Sequence, residues 1–139
     1  MPDDVGVRIS ARAASHIGVP FRLHGRSAVG GFDCVGLAID ALKHVGLPCA
    51  APDDYSLRGQ YEADVFSFFE NPFFAGLAKG EILKFGDFVI VVPAPRQLHV
   101  MICAAGGFVH AHAGLRRVVL TPPPVPWPVI GQWRLIWQP

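Results

Sequence analysis

Leu98-His99-Val100-Met101-Ile102-Cys103-Ala104-Ala105-Gly106-Gly107-Phe108-Val109-His110-Ala111-His112 is the stretch on which the reading of this chain turns. Apolar runs flank small residues that suit a tight turn, which predicts a β-hairpin with strands at Leu98–Ala104 and Gly107–His112. The two-residue loop falls at Ala105-Gly106 or at Gly106-Gly107. Strand side chains alternate between faces, and either loop puts odd positions of the first strand with even positions of the second. His99, Met101 and Cys103 therefore share a face with Phe108, His110 and His112. A lone histidine on such a face is ordinarily a satisfied structural residue. Three together point to a proton-transfer site or a metal.

Working outward, Asp87–Val92, Arg117–Leu120 and Val129–Trp137 read as further strands. Pro122-Pro123-Pro124-Val125-Pro126-Trp127-Pro128 lacks the N–H groups of a central strand and reads as an extended connector. Upstream, the period becomes helical. Asp4–Ile17 is capped by Asp3 or Asp4 and stopped by Gly18; Cys34–Val45 is stopped by Gly46 and Pro48. Between them, Gly18–Phe32 is loop. Cys49–Tyr61 is irregular, and short helices are expected at Glu62–Phe69 and Phe73–Ala78. The phenylalanines crowded there (Phe66, Phe68, Phe69, Phe73, Phe74) suit a core under a long loop. Helices first and strands after predict an α+β domain, its helices packed on a mostly antiparallel sheet of five or six strands.

The chain has 139 residues, the size of one domain, read here as a single unit over 1–139. Apolar residues make up 51%, enough for a core. Twelve basic and eleven acidic residues leave a net charge of +1, without the basic stripe of a nucleic-acid binder. No apolar run approaches the roughly 20 residues of a membrane span. The N-terminus shows no secretory signal, so the chain is expected to be made in the cytoplasm and carried out by another device. Three cysteines (Cys34, Cys49, Cys103) lack a CxxC pair and suit a reducing compartment.

Gly30-Gly31-Phe32-Asp33-Cys34-Val35-Gly36 leads a glycine-rich turn into a helix that begins at cysteine. Unpaired N–H groups and the helix dipole favour a thiolate there, and the same amides suit an oxyanion. Gly36 leaves the backbone room near a substrate. A cysteine nucleophile needs an imidazole to take its proton, and that imidazole needs a third group to hold it. Cys34, His99 and His110 can supply these parts, with His112 an alternative because one register sets it opposite His99. A zinc site on His99, His110, His112 and a cysteine competes, although no carboxylate base lies on these strands. We expect neither metal nor cofactor.

Five segments carry a resemblance. Gly18-Val19-Pro20-Phe21-Arg22-Leu23-His24-Gly25, Phe32-Asp33-Cys34-Val35-Gly36-Leu37, Phe85-Gly86-Asp87, His99-Val100-Met101-Ile102 and Phe108-Val109-His110-Ala111 resemble, in order and spacing, the motifs of the NlpC/p60 family of cell-wall cysteine peptidases. The likeness runs from about Val5 to Ile136 and is nearest to short members found with phage tail genes and gene transfer agents. It implies a papain-like fold and a catalytic set at Cys34, His99 and His110. It also implies a thiol protease acting on peptidoglycan stem peptides at a γ-D-glutamyl–diamino acid bond, with tail or tail-like particle proteins as partners and the periplasmic wall as the place of action.

Two positions depart from the family pattern. Phe21 stands where Tyr is frequent, so a substrate-facing or oxyanion-side hydroxyl is missing, and Val35 where Ser is frequent, so one polar contact to the substrate is gone. Asp33 is kept, to bind a substrate amine or to brace the loop. With Arg22, on the loop before Cys34, and His112, these residues form the candidate substrate-binding set. Two further readings compete: an idle tail-tip module that keeps only the fold, and an amidase or acyltransferase using the same trio.

Overall fold

The computed structural model describes residues 4–47 and 61–137. Its elements are α1 (Val5–Ala14), two short strands β1 (Arg26–Ser27) and β2 (Gly31–Phe32), α2 (Cys34–His44), α3 (Tyr61–Phe69), β3 (Phe74–Gly76), β4 (Phe88–Ala94), β5 (Gln97–Ala104), β6 (Gly107–His112), β7 (Arg117–Thr121) and β8 (Val129–Leu135). The last six strands form one antiparallel sheet in the order β3-β8-β4-β5-β6-β7. This is the α+β arrangement the sequence predicts. Cys49 and the irregular stretch around it lie outside the described residues.

Asp4 caps α1 by accepting a bond from the Gly6 N–H at 2.8 Å. The helix stops at Ala14, short of the expected Ile17, because the chain turns down toward the sheet. There Gly18, at φ 95°, donates its N–H to the Val118 carbonyl. The turn carries His16 inward, where Nε2 lies 2.8 Å from Asp40 on α2 and the ring packs on Phe32. Arg12 adds a second link to Asp40, at 2.9 Å. The end of α1 is thus pinned to α2 through Asp40.

Ile9 and Ala13 of α1 and Leu37, Ala38 and Leu42 of α2 are buried in one core with Phe88, Ile90, Val100 and Ile102 of the sheet. Phe69 and Phe74 extend that core, in ring contact with each other at 5.1 Å, so most of the phenylalanine cluster is packing. The expected helix at Phe73–Ala78 is instead strand β3, paired with β8 as Phe74↔Leu135 and Gly76↔Trp133. Asn71 explains the change. Its side chain bonds the Phe68 carbonyl and accepts the Phe73 N–H, closing a turn that delivers the chain to the sheet edge.

A smaller core of Val89, Val91, Met101 and Phe108 is separate from the helix-covered one. Strand β7 lies at an edge while β8 lies between β3 and β4, so the proline-rich connector must cross β6, β5 and β4. Val125 and Trp127 of that connector pack on the second core. Asp87 is structural: it accepts the Lys84 N–H and a two-bond fork from Arg134. Among the described residues no helix is long and apolar enough to cross a membrane.

Candidate active site

Asp33 builds the start of α2. Its Oδ1 accepts the Gly36 N–H at 2.7 Å and its Oδ2 the His24 N–H at 2.7 Å, while Arg26 reaches Oδ1 at 3.3 Å. The side chain is completely buried. Asp33 therefore braces the loop onto the helix, the second of the two roles its position suggests. Gly36 differs from expectation. A Cβ there would run into the Gly25 carbonyl oxygen, so the space it leaves is taken by the loop rather than by a substrate.

Cys34 follows as the first residue of α2, 2% exposed and outside any disulfide. It opens on a cleft of about 130 Å³ whose lining includes Phe21, Gln97, His99, His112 and Trp127. Of the substrate-binding candidates, Phe21 and His112 thus face the cleft. Arg22 is exposed outside its lining, Asp33 is the brace just described, and Val35 packs into the main core.

The histidines meet through diagonals of the sheet. Strands β5 and β6 pair as Ala104↔Gly107, Cys103↔Phe108 and Ile102↔Val109, which places the turn at Ala105-Gly106. Continued, that register sets His112 across from His99, yet the contact made is the diagonal one: His99 Nε2 lies 2.7 Å from His110 Nδ1. Strand β7 repeats the geometry. His110 pairs with Val119, and the next same-face residue, Thr121, brings Oγ1 within 2.7 Å of His110 Nε2. His112 turns aside, its Nδ1 accepting the Leu115 N–H at 3.1 Å. The Trp127 ring closes on all three, 5.8 Å from His99 and His110 and 5.9 Å from His112.

Burial, and then the neighbouring His110 and His112, push the His99 imidazole down to about 3; burial and then His112 push His110 down to about 4. Both are neutral at pH 7, the form in which an imidazole accepts a proton. Burial and the charge of Asp87 push the Cys103 thiol up, which makes it a packing residue rather than a nucleophile. Among the described residues no group of three or more His, Cys, Asp or Glu side chains is placed to hold a metal ion. His99 and His110 are directed at each other and at Thr121 instead.

A pH dependence follows from the two lowered values. The unfolded chain takes up protons on these histidines near pH 6.5, but the folded chain only near 3 to 4. Their contribution is therefore complete above pH 6.5 and is lost as pH falls toward 4. The unfolding free energy from urea titrations should drop steeply between pH 7 and 4.5, by an amount on the order of a few kcal/mol. A double His99→Gln, His110→Gln variant should show a flatter profile; an equally steep one would contradict the assignment.

Thr121, Trp127 and Gln97 escape the sequence reading. Thr121 lies one residue past the predicted end of its strand, and strand alternation from there would have placed it beside His110. Trp127 sits in a connector, and no local signal says which face that connector crosses.

No family model and no curated protein matches this sequence. Solved structures do. NlpC1 from Trichomonas vaginalis superposes with a TM-score of 0.68 at 19% identity, over 96% of this chain and 47% of that one. The present chain thus spans about half of it. The peptidoglycan hydrolase RipB from Mycobacterium tuberculosis gives 0.65 at 22% identity, over 95% of this chain and 64% of that one. RipD from the same organism, described as a non-catalytic NlpC/p60 domain protein adapted to peptidoglycan binding, gives 0.61 at 19%, over 97% and 99%. The fold is that of an NlpC/p60 domain, a class that includes peptidoglycan hydrolases. Its members here include both a hydrolase and a domain without catalysis.

Proposed function

We propose that this protein is a cysteine endopeptidase that hydrolyses peptidoglycan stem peptides. The observation that carries the reading is the His99–His110–Thr121 array, joined at 2.7 Å contacts, whose His99 shares a cleft with Cys34 at the start of α2. In this mechanism His99 takes the Cys34 proton and the sulfur attacks the amide carbon. His99 then returns the proton to the leaving amine, and water hydrolyses the thioester. The Cys34 backbone N–H contributes to holding the oxyanion. Phe21, Trp127 and His112 shape the groove for the peptide.

The γ-D-glutamyl–diamino acid bond, and delivery to the periplasmic wall by a phage tail or tail-like particle, rest on the motif resemblance. Finding the chain in purified particles would test the carrier. Incubation with purified muropeptides tests the chemistry: new stem-peptide fragments with the wild type and none with Cys34→Ala are expected. No fragments from either protein would favour an idle module of the kind RipD represents. Equal fragments from both would place the nucleophile elsewhere.

A further inference from the structure

His110 is completely buried, so an unpartnered N–H on its ring would be costly. Both ring nitrogens have partners, His99 Nε2 on one side and Thr121 Oγ1 on the other. Among the described residues no buried side-chain nitrogen or oxygen lacks a partner. Each neutral imidazole carries one proton, so the array has two self-consistent settings. In one, His99 Nε2–H donates to His110 Nδ1 and His110 Nε2–H donates to the Thr121 hydroxyl oxygen. His99 Nδ1 is then bare. In the other, the Thr121 hydroxyl donates to His110 Nε2 and His110 Nδ1–H donates to His99 Nε2. The His99 proton is then on Nδ1, and the ring cannot take another while neutral.

We propose that Thr121 is a positioning residue whose hydroxyl oxygen accepts the His110 Nε2–H and thereby keeps His99 Nδ1 unprotonated, ready to receive the Cys34 proton. The inference rests on the reading of Cys34 and His99 as nucleophile and base. One proton moves in the step. It leaves the Cys34 sulfur, whose electron pair forms the bond to the amide carbon while the carbonyl π pair moves onto its oxygen as the oxyanion, and it arrives on His99 Nδ1. The His99 Nε2–H stays where it is, hydrogen-bonded to His110, and neither His110 nor Thr121 gains or loses a proton.

Thr121→Val removes the acceptor with little change of shape. His110 Nε2–H would then be a buried orphan, so its proton shifts to Nδ1. His99 Nε2 must now accept, and its own proton moves to Nδ1, where it blocks the base.

Nitrogen-15 NMR of histidine-labelled protein at pH 7, assigned with single histidine substitutions, reads the proton positions whether or not the protein is an enzyme. Expected in the wild type are protons on Nε2 of both His99 and His110. Thr121→Val should move both to Nδ1 and lower kcat by about 10- to 100-fold with KM unchanged. Thr121→Ser should restore both readouts. Wild-type His110 protonated on Nδ1, or identical tautomers in wild type and Thr121→Val, would overturn the proposal. If Thr121→Val does not fold, wild type and Thr121→Ser decide it alone. The expected tautomer change in a protein without peptidase activity would sink the peptidase reading and support the proton assignment.

Discussion

Replacing Cys34 with alanine is expected to leave a folded protein whose rate of muropeptide cleavage is lower by about 10⁴-fold or more. The sulfur forms the covalent bond to the acyl carbon, and nothing else at the start of α2 can. His99→Ala should fall in the same range, and the double variant should be scarcely worse than either, because nucleophile and base act as one unit. Folding should survive in Cys34→Ala, since one buried atom is lost next to a core anchored by Phe32 and Leu37. Initial rates set against urea midpoints separate the two effects. A Cys34→Ala protein that keeps a tenth of the wild-type rate would end the nucleophile assignment.

Asp33→Ala is expected to be the most damaging substitution to stability, by about 3 kcal/mol or more. It strips the helix cap from Gly36, leaves the His24 N–H without that acceptor, and removes the carboxylate facing Arg26. Because Cys34 is the next residue, activity should fall with the fold. Asp33→Asn keeps one acceptor oxygen and should lose roughly half as much. Urea unfolding measures both. A loss below about 1 kcal/mol for Asp33→Ala would mean that the loop is held by other contacts.

Much of this was legible because its signals are local. The acidic cap before α1, alternation through Leu98–His112 and the small residues at 105–107 each act within a few neighbours. Where expectation and structure part, the deciding contact comes from far along the chain. Phe73–Ala78 has the composition of a helix, but the free edge of β8, some 60 residues later, offers backbone partners that local propensity cannot outweigh. Gly36 reads as space for a substrate until the Gly25 carbonyl occupies it.

The histidine hairpin divides along the same line. Sequence alone determined that His99, His110 and His112 share a face, because side-chain alternation is a property of any strand. It could not choose between His110 and His112 as the partner of His99. The tertiary structure decided that through the Ala105-Gly106 turn, which sets the register, and through β7, which brings Thr121 to the far nitrogen of His110. It also decided that the proline-rich connector lays Trp127 over the site, since β8 inserts beside β4 and the chain must cross to reach it. Alternation is written in two neighbouring residues; register, diagonal contacts and crossovers exist only once distant strands have paired.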